Sequence, residues 1–137
     1  LDREKKQRKE LAEFRDLLLD SEAAQLVNSS FDVCGVHVVR SVLNLSDVST
    51  ARDLAQKIVH GGSGRLALLG IGGKSPALVF AKSMDLPWHM GELIRKVAPR
   101  IKGRGGGNSK QAQAQGSYEE GLEMALQEAL EELKEGR

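Results

Sequence analysis

The sequence predicts an α/β domain: one small sheet of about four strands flanked by helices, with an N-terminal helix that extends from the globular part. Short runs rich in β-branched residues alternate with amphipathic runs of helical period. Glycine and proline pairs separate these runs. A hydrophobic content of 40% and a charged content of 28% are ordinary for a globular protein. The 137 residues are enough for one domain with its own core.

The first element is a helix over residues 1–27, where Lys, Arg, Glu, Leu and Ala dominate and neither Gly nor Pro occurs. Leu11, Phe14 and Leu18 lie on one stripe that is too short to establish a coiled coil. The helix either packs on its own domain, forms a dimer contact or continues a helix of a missing upstream domain. We therefore assign residues 1–29 to this helix and residues 30–137 to the globular domain. Because the chain starts inside a charged helical pattern without Met, we expect it to be a fragment of a larger protein.

A strand is predicted over residues 31–42, and its nearly continuous apolar character indicates a central place in the sheet. Cys34 lies in this run, so a buried core thiol is expected. The segment Ser46-Asp47-Val48-Ser49 is typical of a helix cap, and the helix that follows ends at Gly61-Gly62.

Arg65–Ile71 and Pro76–Ala81 are predicted to be the second and third strands. The Gly72-Gly73 pair between them indicates a hairpin turn. A P-loop is rejected here, because Leu68 stands where that motif needs its first glycine and a strand follows instead of a helix.

The last third of the chain is predicted as helix, loop, strand and helix. Pro87 opens a helix that Pro99 bends or ends, and a glycine loop follows at residues 103–108. The Ala-Gln alternation of residues 111–115 indicates a short strand, and residues 118–133 have the period of a final amphipathic helix.

The three consecutive glycines are the most informative feature of the chain. A glycine run is costly to order, so a folded domain keeps one where side chains would obstruct something. Arg104 precedes the run, and Asn108 and Lys110 follow it, which suggests an anionic ligand approaching bare backbone N–H groups. A flexible linker is the alternative, but the regular Ala-Gln alternation that follows disfavours it.

Gly105-Gly106-Gly107, followed at fixed spacing by Ala112-Gln113-Ala114 and Gly116, resembles the signature of the C-terminal domain of alanyl-tRNA synthetase. Related domains occur in alanyl-tRNA editing proteins and in DHH-type phosphoesterases. Upstream, Gly91–Ile94 is similar to the helix that leads into this loop in the family. The resemblance covers about residues 31–134 in its order of elements.

The resemblance implies a non-catalytic module that holds the body of tRNA, specifically tRNA(Ala), while upstream catalytic and editing domains of the same chain act on it. It also implies homodimers in some members. One residue departs from the pattern: Asn108 stands where the family has Arg, Lys or His, which leaves Lys110 or Arg104 as the phosphate partner. Gln113 occupies the family's most constant glutamine position.

Charge is unevenly distributed although the net charge is only +1. Residues 87–110 contain six basic side chains against one acidic one, whereas residues 117–137 contain seven Glu against two basic side chains. A positive segment around the glycines beside a negative helix suits a polyanion site. The alternative is that the charges on the two segments pair with each other.

No catalytic constellation is found in the sequence. The three histidines are far apart and no His-x-x-x-His or Cys-x-x-x-His spacing occurs, so neither a metal nor a cofactor is predicted. The low aromatic content argues against base stacking on aromatic platforms as the main mechanism. No apolar run is long enough for a membrane span and no leader pattern opens the chain, so a cytoplasmic location is expected.

These observations favour a tRNA-binding fragment of an alanine-tRNA ligase that is not an enzyme by itself. Two alternatives stay open: the substrate-clamping domain of a DHH-type phosphoesterase, and a dimerisation domain whose glycines serve packing only. The predicted nucleic-acid-binding residues are Arg95, Lys96, Arg100, Lys102, Arg104, Gly105, Gly106, Gly107, Asn108, Lys110 and Gln113.

Overall fold

The computed structural model describes residues 2–33, 35–43 and 48–135, with the backbone alone at positions 2–6 and 135. The expected burial of the Cys34 thiol and the expected helix cap at Ser46-Asp47 lie outside the described residues. Helices are α1 (Asp2–Asn28), α2 (Val48–His60), α3 (Met90–Val97) and α4 (Leu122–Glu135), with short 3-10 helices at Ala98–Ile101 and Glu119–Gly121. Strands are β1 (Phe31–Val33), β2 (Val36–Leu43), β3 (Arg65–Ile71), β4 (Ala77–Lys82), β5 (Arg104–Gly107) and β6 (Gln111–Gln115).

The described strands form one sheet in the order β1-β2-β3-β4-β6-β5. Strands β2 and β3 run parallel on either side of the α2 crossover, and every other neighbouring pair is antiparallel. The α/β class is confirmed, whereas the expected number of about four strands is too low, because the described sheet has six. Both additional strands come from segments that the sequence assigned differently.

One of them comes from residues 31–42, where a single central strand was predicted. The segment is instead a hairpin in which Val33 pairs with Val36 and β1 forms an edge of the sheet. Gly35 has φ +86°, a backbone conformation that favours glycine and allows the tight reversal. Both arms are rich in apolar residues, so the sequence looks continuous across the turn. His37, expected in a buried strand, has an exposed side chain.

Two apolar layers cover the two faces of the sheet. On one face, α3 and α4 pack on β-strand residues such as Leu68, Phe80 and Ala114. On the other, α2 and the second half of α1 pack on residues such as Leu69 and Val79. The strands β3 and β4 are buried on both faces along nearly their whole length. A three-layer sandwich of this kind is typical of α/β domains.

Several boundaries agree with the sequence. The predicted turn at Gly72-Gly73 joins the antiparallel pair β3 and β4, and Gly73 has φ +120°. The helix after Pro87 begins at Met90, with the His89 side chain accepting a hydrogen bond from the Glu92 N–H. Among the described residues, no helix has the length and apolar character needed to cross a membrane.

Candidate nucleic-acid interface

The glycine run is a strand rather than a loop. Arg104–Gly107 form β5, which pairs with β6 and lies at the edge of the sheet opposite β1. The predicted loop at residues 103–108 is therefore wrong in conformation, and so is the flexible-linker alternative. The reason is that the Ala-Gln strand, which the sequence identified correctly, offers backbone pairing to the glycines before it.

Two of the three glycines are required by the close approach of the β6 backbone. A Cβ on Gly105 would collide with the Gln113 carbonyl oxygen and the Ala114 Cα, and a Cβ on Gly107 would lie 2.6 Å from the Ala112 Cα. Gly106 is different, because its Cβ position lies 3.6 Å from the Arg95 guanidinium and meets nothing closer. The run therefore contains two packing positions and one position open to a side chain.

The turn that joins β5 and β6 is held by Asn108 and by the first turn of α3. The Asn108 Oδ1 accepts hydrogen bonds from the N–H groups of Lys110 and Gln111, both at 2.9 Å. The N–H of Met90 donates to the carbonyl of Ser109 and the N–H of Gly91 to that of Asn108, at 3.0 Å each. Asn108 thus shapes the turn, a role that a basic residue at this position could not perform in the same way.

One face of the β5–β6 pair is left open. Ala112 and Ala114 point into the core under α3 and α4, so the glutamines that alternate with them point to the opposite face. Arg104 pairs directly with Gln115 and Gly106 with Gln113, which places these residues on one surface beside Val48. We call this surface, formed by Arg104, Gly106, Gln113 and Gln115, the open face. It holds a groove of about 330 Å³.

Three of the predicted cations are exposed and have neither an ion pair nor an aromatic-ring contact within the described residues: Arg95, Arg104 and Lys110. Arg104 lies on the open face, the Arg95 guanidinium lies 3.6 Å from the Cβ position of Gly106, and Lys110 lies at the β5–β6 turn. Together they form a positive strip along the edge of the sheet, which we call the β5 strip.

The other three predicted cations are engaged elsewhere. The Lys96 Nζ lies 3.1 Å from the Glu132 carboxylate, and Arg100 forms an ion pair with Glu128. The Lys102 Nζ lies over the Tyr118 ring, 5.1 Å from its centroid. Pairing between the basic segment and the acidic helix, the alternative drawn from the charge pattern, thus holds for Lys96 and Arg100.

The sequence did not single out a second cavity, at the end of the sheet where β4 ends and β5 turns into β6. Gln56, His60, Met84, Asp85 and Gln111 line it together with Asn108 and Lys110. The pKa of Asp85 is lowered, first by the hydrogen bond from the Ser83 hydroxyl and then by the one from the Gly64 N–H. The glycine segment and the Ala-Gln strand pointed here through Asn108, Lys110 and Gln111; the other lining residues are distant in sequence and carry no motif. In the part of the chain that the structure describes, no three His, Cys, Asp or Glu side chains could hold a metal ion.

Comparisons with known proteins identify relatives of the whole chain. No family model matches it. The chain is 31% identical to an alanine-tRNA ligase of Shewanella loihica over 98% of its own length and 16% of that ligase. It is 31% identical to the Burkholderia mallei ligase over 91% of its length and 15% of that protein. The chain thus spans about one sixth of the length of the curated relatives it matches.

The fold is shared with solved domains. The C-Ala domain of Aquifex aeolicus alanyl-tRNA synthetase superposes with a TM-score of 0.72 at 21% identity, covering 77% of this chain and 97% of that domain. RecJ of Thermus thermophilus, solved with Mn²⁺, superposes with a TM-score of 0.64 at 16% identity, covering 94% of this chain and 18% of RecJ. The resemblance to the C-terminal domain of alanyl-tRNA synthetases is confirmed: the chain is similar in sequence to a small part of the two ligases and shares its fold with the C-Ala domain.

Proposed function

We propose that this chain is a non-catalytic tRNA-binding module, the C-terminal domain of an alanyl-tRNA synthetase, and that it holds the body of cytoplasmic tRNA(Ala). Catalytic and editing domains of the same protein would then act on the held tRNA. The observation that carries the proposal is the β5 strip: Arg95, Arg104 and Lys110 are exposed and unpaired within the described residues, beside an open face of neutral glutamine donors. Cations bound to phosphates release counterions, and this release supplies most of the sequence-independent affinity for nucleic acids.

The backbone of β5 adds to this surface. The Asn108 N–H donates to the Gln111 carbonyl at 3.0 Å, so the alternation of antiparallel hydrogen bonds directs the Gly105 and Gly107 amides away from β6. Edge amides beside unpaired cations can donate hydrogen bonds to phosphate oxygens without reading the base sequence. Gln113 and Gln115 offer amide groups to ribose hydroxyls on the same surface.

The test is equilibrium binding of the chain to tRNA(Ala), to an unrelated tRNA and to a single-stranded oligonucleotide across a salt series. We compare Arg95→Ala/Arg104→Ala with the matched variant Lys96→Ala/Arg100→Ala, which removes two cations that are already paired. The first variant should weaken tRNA binding by roughly tenfold to a hundredfold and lower the salt slope by about 2, whereas the second should change both much less.

Equal losses in the two variants would contradict the assignment of the interface to the β5 strip. If none of the three nucleic acids binds wild-type protein, the tRNA-binding proposal is wrong. Preference for the short single strand would favour the substrate-clamping alternative instead.

A homodimer is a second element of the proposal, favoured by α1. Leu11, Phe14, Leu17 and Leu18 are 69%, 62%, 67% and 57% exposed, while Leu19 and the rest of the helix beyond it pack on α2. Residues 2–9 contain five basic and two acidic residues, and residues 10–22 contain five acidic and one basic residue. An antiparallel pair of α1 helices would therefore match apolar stripes and opposite charges. Sedimentation of wild-type protein and of Phe14→Ser/Leu18→Ser checks this: a monomer in both would exclude the dimer.

A further inference from the structure

Helix α2 forms a second wall of the groove on the open face. Val48, the first residue of α2, lines that groove together with Arg104 and Gln115. Further along the helix, the Gln56 Nε2 donates to the Gln111 Oε1 at 2.6 Å. These two contacts fix the direction of α2: it runs beside β6, with its first turn at the Gln115 end of the strand and its later turns at the Gln111 end.

The spacing of the two contacts places Arg52 opposite the middle of β6. Residues 48, 52 and 56 are four positions apart, so they share one side of the helix. The helix rises by about 12 Å from residue 48 to residue 56, and β6 spans about 13 Å from Gln111 to Gln115. The two midpoints, Arg52 on α2 and Gln113 on β6, therefore lie at nearly the same level. Gln113 pairs with Gly106, which adds no side chain to the floor of the groove.

The Arg52 side chain is exposed and has no hydrogen bond or ion pair within the described residues. On α2, the residues three and four positions away from it carry no charge, so none of them can pair with it. Asp53 is the one acidic residue of α2, and its carboxylate is held by Arg15 at 3.0 Å. The Arg52 guanidinium therefore keeps its charge and its donors for a ligand.

Cations thus lie on both sides of the groove. Arg95 and Arg104 belong to the β5 strip on one side, and Arg52 belongs to α2 on the other, with the neutral amide of Gln113 between them. Within the described residues, no aromatic side chain lines the groove, which disfavours base stacking there. Guanidinium groups on two walls suit the phosphates of one sugar–phosphate strand, and the amide between them suits a ribose hydroxyl.

We propose that Arg52 is a further nucleic-acid-binding residue, and that the groove between α2 and β5 holds one strand of the tRNA backbone. Arg52 contacts a phosphate from the α2 side, and Arg104 contacts one from the β5 side. The inference rests on the proposed function and extends it, because it directs the bound RNA over α2 rather than along the β5 edge alone.

The test is equilibrium binding of the chain to tRNA(Ala) across a salt series. Arg52→Ala should weaken binding about threefold to tenfold and lower the salt slope by about 1, since one phosphate contact is lost. The fold should be unaffected, because Ala is the best helix former and Arg52 has no partner within the described residues. Lys134→Ala is the matched control: it removes an exposed, unpaired cation of the described part of α4, on the other face of the sheet, and should change affinity less than about twofold.

Two further measurements distinguish direct contact from an effect of net charge. Arg52→Lys keeps the cation and should retain most of the affinity for tRNA. In ¹⁵N-labelled wild-type protein, tRNA should shift the Nε–H resonance of Arg52 and leave that of Arg15, which is held by Asp53, in place. Arg52→Ala combined with Arg95→Ala/Arg104→Ala should lower the salt slope by about 3 in total.

The outcomes separate the two proposals. If Arg95→Ala/Arg104→Ala weakens tRNA binding but Arg52→Ala binds as wild type, the second wall is wrong and the proposed function stands. A loss in Lys134→Ala equal to that in Arg52→Ala, or an Arg52 resonance that tRNA does not shift, would overturn the Arg52 contact in the same way. If wild-type protein binds no tRNA, the proposed function is wrong and the inference about Arg52 is overturned with it.

Discussion

The cations from α3 to β5 lie on two sides of the chain. Those on one side are paired with carboxylates, whereas those on the other side are not. On the side that faces α4, Lys96 and Arg100 are paired with Glu132 and Glu128. On the β5 side, Arg95 and Arg104 form no ion pair within the described residues, and the neighbouring residues are glycines and glutamines, which carry no charge. The contrast shows that a cluster of charges in the sequence is not yet a surface potential, because packing decides which charges are neutralised.

The largest effect, on the free energy of unfolding, is expected from substitution of a glycine that lets β5 lie close to the backbone of β6. Gly105→Ala would drive a Cβ into the Gln113 carbonyl and the Ala114 Cα, and should lower the free energy of unfolding by about 3 kcal/mol. Gly106→Ala, whose Cβ position is open, should change it by less than about 1 kcal/mol. Urea unfolding of both variants, with slopes compared to wild type, provides the measurement. Equal destabilisation by the two variants would mean that the glycines do not divide into packing and open positions.

The order and type of most elements could be predicted from the sequence, because each depends on local pattern. Helical period, β-branched runs and glycine punctuation identified the four helices and the strands β3, β4 and β6. The β1–β2 hairpin was missed, since the connection between these two apolar strands is so short that the hydrophobic run looks unbroken. Strand β5 was missed because glycines have low strand propensity, and its pairing comes from the neighbouring strand instead.

The candidate site could be predicted only in part, for a related reason. Sequence clustering brought Arg95, Arg104 and Lys110 together with two cations that turned out to be paired with α4. Which of these cations is free depends on the α3–α4 packing, a contact between segments roughly thirty residues apart. His60 and Met84 meet Gln111 in the cavity at the end of the sheet only through the sheet order, so no sequence motif could indicate those two residues.

An intermediate effect should follow from freeing the paired cations. Glu128→Gln/Glu132→Gln removes the partners of Arg100 and Lys96, and affinity for tRNA should rise about threefold to tenfold at low salt. Glu120→Gln/Glu131→Gln removes two negative charges that hold no cation within the described residues, and should raise it less. Binding titrations at two salt concentrations distinguish the two variants. An equal rise in both variants would show that net charge alone determines the affinity for tRNA. Whether an individual cation is paired or unpaired would then not affect binding.

The smallest effect concerns Asp85, a carboxylate in the cavity at the end of the sheet that is held mainly by neutral donors rather than by a cation. Because the Ser83 hydroxyl and the Gly64 N–H lower its pKa below the usual value of 3.8, its stabilising contribution is fully present above that value. The contribution disappears as the pH falls through the lowered folded-state pKa.

Asp85→Asn keeps an acceptor oxygen for the Gly64 N–H, so its stability should be slightly below that of wild type near neutral pH and should approach it in acid. Urea unfolding between neutral pH and about pH 2.5 measures the difference. Added salt should leave the difference nearly unchanged, because hydrogen bonds from neutral groups are screened far less than the exposed ion pairs of α4. A gap between the two proteins that widens in acid would mean that the Asp85 carboxylate is not stabilised in its charged form by these donors.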